Sequence, residues 1–206
     1  MPSVAQLHEY RVREELYAQQ SRQALDTLRE VAAILSAESS NRIRGGEAAP
    51  GRLKKLMKER AAPETRSELA IVGYRDVLST IHTRHEDIAL SPGVVRQFHR
   101  GLFTYTSSQG GGWKSASNDI IEKHPNGTEV VRFETVVPHR TPECMKRLHE
   151  RFERAWTMGD VDKLLLIAAY VLDFLCVHPF RDGNGRMARL LTLLLLYKAG
   201  CSVGQY

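Results

Sequence analysis

His178-Pro179-Phe180-Arg181-Asp182-Gly183-Asn184-Gly185-Arg186-Met187-Ala188-Arg189 stands between two strongly apolar segments, residues 164–177 before it and 190–197 after it. A base, a carboxylate, two glycines around an amide and several arginines do not belong inside a buried run. They make sense where the run breaks to expose a loop and then restarts as a helix. A residue before proline is pushed away from helical angles, so His178-Pro179 ends the first helix. Gly183 and Gly185 permit a tight turn and close backbone approach to a ligand. The next helix, expected from about Gly185 and ending before Gly200, begins with unpaired N–H groups and a partial positive charge, a ready anion site. Arg186 and Arg189 are i,i+3 neighbours able to grip further phosphate oxygens, and Asn184 can donate its amide to the same anion. Asp182 would repel that anion unless a cation lies between them, and Mg²⁺ takes one or two carboxylates plus phosphate oxygens. Neutral His178 is a suitable base for a hydroxyl near pH 7. Singly, each feature has a plain structural reading as a cap, a turn or a surface ion pair. Their co-occurrence over twelve residues favours a nucleotide polyphosphate site.

Working outward, the 206 residues include 42% hydrophobic and 26% charged positions, the balance of an ordinary globule. The net charge of +5 comes from 29 basic and 24 acidic residues that are interspersed, which reads as solvated surface and not as a nucleic-acid patch. The longest apolar run, about 14 residues and broken by Asp173, falls short of a membrane span of ~20. No signal peptide opens the chain, and Cys144, Cys176 and Cys201 have no zinc spacing, so they are expected as buried thiols in a cytoplasmic protein.

Residues 4–36 show helical periodicity, with Leu16, Ala24, Leu25, Leu28, Val31, Ala32 and Leu35 at threes and fours. Residues 50–60 read as a short basic helix. Pro63-Glu64-Thr65 opens another that runs to about His85, and Ser91-Pro92 opens a third that reaches Phe103. His82 and His85 are i,i+3 neighbours but lack a carboxylate or cysteine partner for a metal. Gly110-Gly111-Gly112-Trp113-Lys114-Ser115 is not a phosphate loop, because Trp113 separates Gly from Lys. The β signal is confined to residues 119–123 and 128–133, which flank His124-Pro125-Asn126-Gly127, a strong hairpin signal. A lone hairpin is marginal, so it is expected to lean on the helices. Thr141-Pro142-Glu143 reads as cap, proline and acid of a helix to about Thr157. Residues 161–177 carry a near-continuous apolar face and are expected to be the central buried helix.

Residues 178–189 resemble the Fic family motif, His-Pro-Phe-x-(Asp/Glu)-Gly-Asn-Gly-Arg-x-x-Arg, at every defined position. The resemblance implies an all-α bundle with a β-hairpin flap over the active site. It divides the chain into an N-terminal helical region, residues 1–63, and a core, residues 64–206, with the flap at 119–133. It further implies protein adenylylation, transfer of AMP from MgATP to a Ser, Thr or Tyr hydroxyl with release of pyrophosphate. On that basis His178 is the general base, Asp182 holds Mg²⁺, and Gly183, Asn184 and Gly185 cradle the α- and β-phosphates. Arg186 and Arg189 reach the outer phosphates, and Phe180 anchors the loop. Ile120, Ile121 and Glu122 of the flap would dock the target protein by β-augmentation. The family's kinase-like branch has Lys where this chain has Gly185. Two other outcomes stay open: the same fold transferring another nucleotide or a phosphocholine group, or a catalytically weak regulatory protein.

Two departures from the family pattern concern regulation and length. Many members carry an inhibitory (Ser/Thr)-x-x-x-Glu-(Gly/Asn) helix, whose Glu pairs with the second arginine of the motif. Residues 40–45, within the similar stretch 36–46, match at Ser40 and Gly45 but place Arg44 where the Glu belongs. Opposite Arg189, Arg44 would repel and not clamp, so this brake is expected to be weak and AMP removal is disfavoured. The chain also stops at Tyr206, shortly after the helix that follows the motif. By the resemblance a C-terminally truncated form is expected, either less stable or dependent on homo-oligomerisation.

Overall fold

The computed structural model describes residues 50–59, 61–124 and 126–201. The expectations for residues 4–36 and for Ser40, Arg44 and Gly45 lie outside them. Six α-helices and one hairpin follow in chain order: α1 Pro50–Lys58, α2 Arg66–Arg84, α3 Pro92–Leu102, β1 Ile120–Lys123, β2 Glu129–Phe133, α4 Thr141–Met158, α5 Lys163–Val177 and α6 Asn184–Lys198. The all-α class with a two-stranded antiparallel hairpin is as expected.

Side-chain chemistry sets the helix boundaries. The Thr65 hydroxyl accepts the Glu68 N–H and Ser91 accepts that of Val94, each satisfying a donor left over at a helix start. Thus Thr65 is the cap of α2, and Pro63-Glu64 precede the helix. Thr141, expected as a cap, is instead the first residue of α4 after a 3₁₀ turn at Pro138–Arg140, and its hydroxyl donates to the Val137 carbonyl. The turn already supplies helical backbone, so no side-chain cap is needed there. Asp162 caps α5, accepting from the Leu164 and Leu165 N–H groups.

The helices pack pairwise, α4 on α5, α5 on α6, α6 on α2 and α2 on α3, with α1 against α2. Arg52 of α1 reaches Glu68 of α2 through Nε at 3.0 Å. The centre belongs to α6, where Met187, Leu190, Leu191 and Leu194 are fully buried and Leu195 nearly so. Each such side chain contributes roughly 1.5–3 kcal/mol by leaving water. The expectation that residues 161–177 form the central helix is corrected. Ile167, Tyr170, Phe174 and Val177, at spacings of three and four, are buried in the core, Leu166, Val171 and Leu175 pack against it half-buried, and Leu165 is 54% and Leu172 62% exposed. An all-round apolar sequence does not say which face finds a partner. The three cysteines are half-buried and not fully buried, since Cys144, Cys176 and Cys201 sit at the edges of helix contacts.

The hairpin pairs Ile121 with Val131, Glu122 with Val130 and Lys123 with Glu129, and a bulge between Ile120 and Ile121 returns Ile120 to Phe133. The bulge leaves Arg132 as the extra residue, and its side chain pairs with Glu122. Every residue of β2 is exposed. The expected support from helices is absent along the strands, because the hairpin is held at its roots instead.

Candidate functional site

His178 is the C-cap of α5 and has φ 49°, ψ 57°, the left-handed region. It is the one non-glycine residue with positive φ among those described. Such backbone costs of order 1–3 kcal/mol and persists only when neighbours determine it. The left-handed turn throws the chain off the helix axis, and Phe180 then plunges into the core, fully buried. It stacks on His99 at 3.7 Å between ring centres and on Trp113 at 5.2 Å. Gly183, at φ 84°, makes the second left-handed turn and begins α6. A side chain there would be strained by that backbone and would press on Phe103 and His99.

His178, Arg181, Asp182, Gly183, Asn184, Gly185, Arg186 and Arg189 line one cavity of about 210 Å³. The structure therefore brings the predicted base, carboxylate, glycines and arginines together. The Nδ1–H of His178 donates to the Leu175 carbonyl at 3.2 Å, since a carbonyl can only accept, and Nε2 keeps its lone pair in the neutral ring. Burial and then the nearby Lys114 charge hold the imidazole below its ordinary pKa, against that hydrogen bond. His178 is thus neutral at pH 7.

One oxygen of Asp182 accepts the Gly183 N–H, and the other lies 3.9 Å from Arg186. Its side chain is 38% exposed toward the cavity. A carboxylate so placed fits a divalent cation shared with phosphate oxygens. Arg186 is buried, its guanidinium 5.1 Å above the Phe103 ring, and Arg189 is half-buried at the cavity wall.

Asn184 departs from the expectation that its amide serves the anion. Its Oδ1 accepts the Phe180 N–H at 3.0 Å and its Nδ2 donates to the Phe180 carbonyl at 2.6 Å. The side chain is 2% exposed and closes the loop on itself. Its place on the first turn of α6 still puts its backbone at the anion end.

Several residues that hold this loop were not legible in the sequence. His99 of α3 donates from Nε2 to the Asp182 carbonyl at 2.9 Å and accepts the Gly111 N–H on Nδ1 at 2.8 Å. Burial above all pushes its pKa down to about 4, so the ring stays neutral and keeps both bonds. Gly110 lies so close to His99 that a side chain would meet the His99 carbonyl at 2.5 Å. From the other side, the buried Lys114 donates through Nζ to Asn118, Thr135 and the Val177 carbonyl. None of these residues forms a sequence motif with the loop, from which His99 and Lys114 are separated by 83 and 63 positions in the contacts named. The one cue was a lysine in a glycine-rich stretch, read as a failed phosphate loop.

The flap residues Ile120 and Ile121 are 41% and 47% exposed. His82 and His85, considered for a metal, engage Tyr197 instead: His82 Nδ1 is 2.6 Å from its hydroxyl, and His85 stacks on its ring. No group of three or more metal-ligating side chains occurs among the described residues. No helix among them is long and apolar enough to cross a membrane.

Comparison with known proteins converges on one fold. The Fic/DOC family profile matches residues 89–196, which span the hairpin and the whole loop. A Fic domain containing signaling protein from Bacteroides thetaiotaomicron superposes with a TM-score of 0.76 at 23% identity, covering 91% of this chain and 72% of that one. A Fic family protein from Desulfovibrio desulfuricans gives 0.68 at 17% identity, covering 94% and 54%. Fic-1 from C. elegans gives 0.65 at 17% identity, covering 97% and 64%. Identities this low establish the fold. A shorter likeness, 51% identity over 39 residues, links 19% of this chain to 7% of the ribonucleoside-diphosphate reductase small chain of Ostreid herpesvirus 1. Matching so small a share of that protein, it says nothing of the fold.

Proposed function

This chain belongs to the Fic/DOC family, which includes protein adenylyltransferases, and from that premise we propose that it transfers AMP from MgATP to a hydroxyl of a target protein. The observation that carries the reading is the cavity itself. A neutral His178 with Nδ1 committed to Leu175 shares it with Asp182, the glycine loop and two arginines. The target hydroxyl oxygen attacks the α-phosphorus of ATP, its proton passes to His178 Nε2, and the bond to the departing pyrophosphate breaks. Backbone N–H groups at the start of α6 and the Arg186 and Arg189 guanidiniums stabilise the charge on the phosphates. Asp182 is the residue that would hold Mg²⁺, which when bound neutralises phosphate oxygens. The exposed edges of β1 and β2 would receive an extended target segment, with Ile120, Ile121 and Glu122 nearest its path.

A second donor is compatible with the same geometry, because the cavity lining consists of charged residues, glycines, His178 and Asn184, with no aromatic or aliphatic side chain to stack on a base. The test is label transfer. Purified protein with Mg²⁺ and a cell lysate is incubated with α-phosphate-labelled ATP, UTP or GTP, or with labelled CDP-choline, alongside His178→Ala. Label from ATP that disappears in the variant is expected. Label from another donor alone would replace adenylylation with that transfer, and no label from any donor would overturn the reading.

A further inference from the structure

Four consecutive carbonyls, those of residues 177–180, all accept hydrogen bonds from one short segment of the chain. Val177 accepts from Lys114 Nζ at 3.2 Å, and Pro179 from the Lys114 backbone N–H at 2.9 Å. Asn118 Nδ2 donates to the His178 carbonyl at 3.2 Å and to that of Phe180 at 2.7 Å. The acceptor end of the Asn118 amide is equally occupied. Its Oδ1 receives Lys114 Nζ at 2.7 Å and lies 3.0 Å from the Thr135 hydroxyl. All three Nζ–H bonds of Lys114 are therefore spoken for, the third by Thr135 Oγ1 at 2.8 Å. A buried amine with its full set of acceptors fixes geometry in a way an exposed lysine cannot. Lys114 is only 4% exposed.

The network stands where the flap meets the loop. Asn118 is two residues before β1 and Thr135 two residues after β2, and the Thr135 N–H is tied to Asp119 Oδ1 at 2.8 Å. Both roots of the hairpin and the strained His178 backbone thus share one set of hydrogen bonds.

We infer that Asn118 and Lys114 are positioning residues, which hold the backbone of residues 177–180 so that His178 keeps its left-handed turn and presents Nε2 to the cavity. This rests on the adenylyl-transfer reading above for its kinetic consequence, though not for its structural one. Neither residue lines the cavity, whose phosphate side has further supports in His99, bonded to the Asp182 carbonyl, and in Asn184, which shares only the Phe180 carbonyl with Asn118 and also holds the Phe180 N–H. Loss of the network should therefore disturb the base more than the cradle.

Asn118→Ala removes both donors to the loop and is expected to lower kcat about 100-fold, the order of loss for a misplaced reacting group. MgATP affinity, measured by calorimetry, is expected to stay within about twofold, because uniform binding is untouched. Lys114→Met should show the same split and Lys114→Arg, which restores charged donors, should recover most of kcat. Thr135→Val, a gentler change at the far end, should give the same signature in smaller measure, and serves if Asn118→Ala does not fold. A kcat unchanged in Asn118→Ala or Thr135→Val, or an MgATP affinity that falls in step with kcat, would overturn the assignment. A structural readout separates this from the function itself. In ¹⁵N-histidine spectra His178 should show a single Nδ1–H tautomer in the natural protein and a mixture in the Asn118 variant. If no donor is transferred by the natural protein, the adenylyl reading falls while the tautomer result still decides the network. An unchanged tautomer in a folded Asn118→Ala would overturn it.

Discussion

The loop at residues 177–189 and the hairpin at residues 120–133 share hydrogen bonds at the hairpin's roots but are built in opposite ways. In the loop, Phe180 is fully buried, Asn184 closes a ring with it, and every carbonyl from 177 to 180 is held. Along the hairpin, β2 is exposed throughout, and the cross-strand ion pairs Lys123–Glu129 and Glu122–Arg132 lie at the surface. Surface ion pairs of this kind contribute little, typically ~0–1 kcal/mol. The difference fits the roles proposed for the two regions. Proton and phosphoryl positions tolerate little displacement, whereas backbone pairing with an extended segment needs open edges more than rigidity.

Breaking the rigid side should have the largest effect. Phe180→Ala empties a site stacked between His99 and Trp113 and should cost about 3–5 kcal/mol, checked by denaturant unfolding. Activity should be lost along with it, since the loop would no longer be pulled into the core. A smaller change sharpens the chemistry. Burial and the Lys114 charge lower the His178 pKa, and the proposed role as base requires the neutral form. The kcat/KM profile for transfer should therefore hold its plateau below the ordinary histidine pKa of about 6.5 and fall only at more acidic pH. An acid limb centred above that value would contradict a desolvated base at this position. Smallest in stability is the flap. Ile121→Ser removes an exposed side chain, so unfolding free energy should shift by no more than about 0.5 kcal/mol. Target labelling should nevertheless weaken, with MgATP affinity unaltered. A loss of MgATP binding in that variant would mean that the hairpin supports the cradle, and the contrast between the two regions would collapse.

Much of the site was legible because its chemistry is local. Gly183, Asp182, Arg186 and Arg189 lie within one turn-and-helix unit, where spacing alone decides which groups can share an anion. The hairpin was legible for the same reason, its strands joined through five residues with Gly127 at φ 83°. The burial of α5 was misjudged because fifteen residues of mostly apolar sequence carry no strong periodicity to choose a face. Asn184 was misjudged because an amide suits an anion and a backbone clasp equally well. Choosing between them required Phe180 to be in place, four residues earlier and facing inward.

The order of helices, the break at His178-Pro179, the hairpin and the grouping of phosphate-directed residues were determined by the sequence itself, since each depends on neighbours within a few positions. What only the tertiary structure decided is how the break is held. Lys114 meets Val177 across 63 residues, and His99 meets Asp182 across 83. Hydrogen bonds of such separation form only after α3, the flap roots and α5 have packed, because closing loops of that length is unfavourable until burial compensates. They leave no periodic trace in the chain, yet they hold the backbone on either side of the left-handed turn at His178.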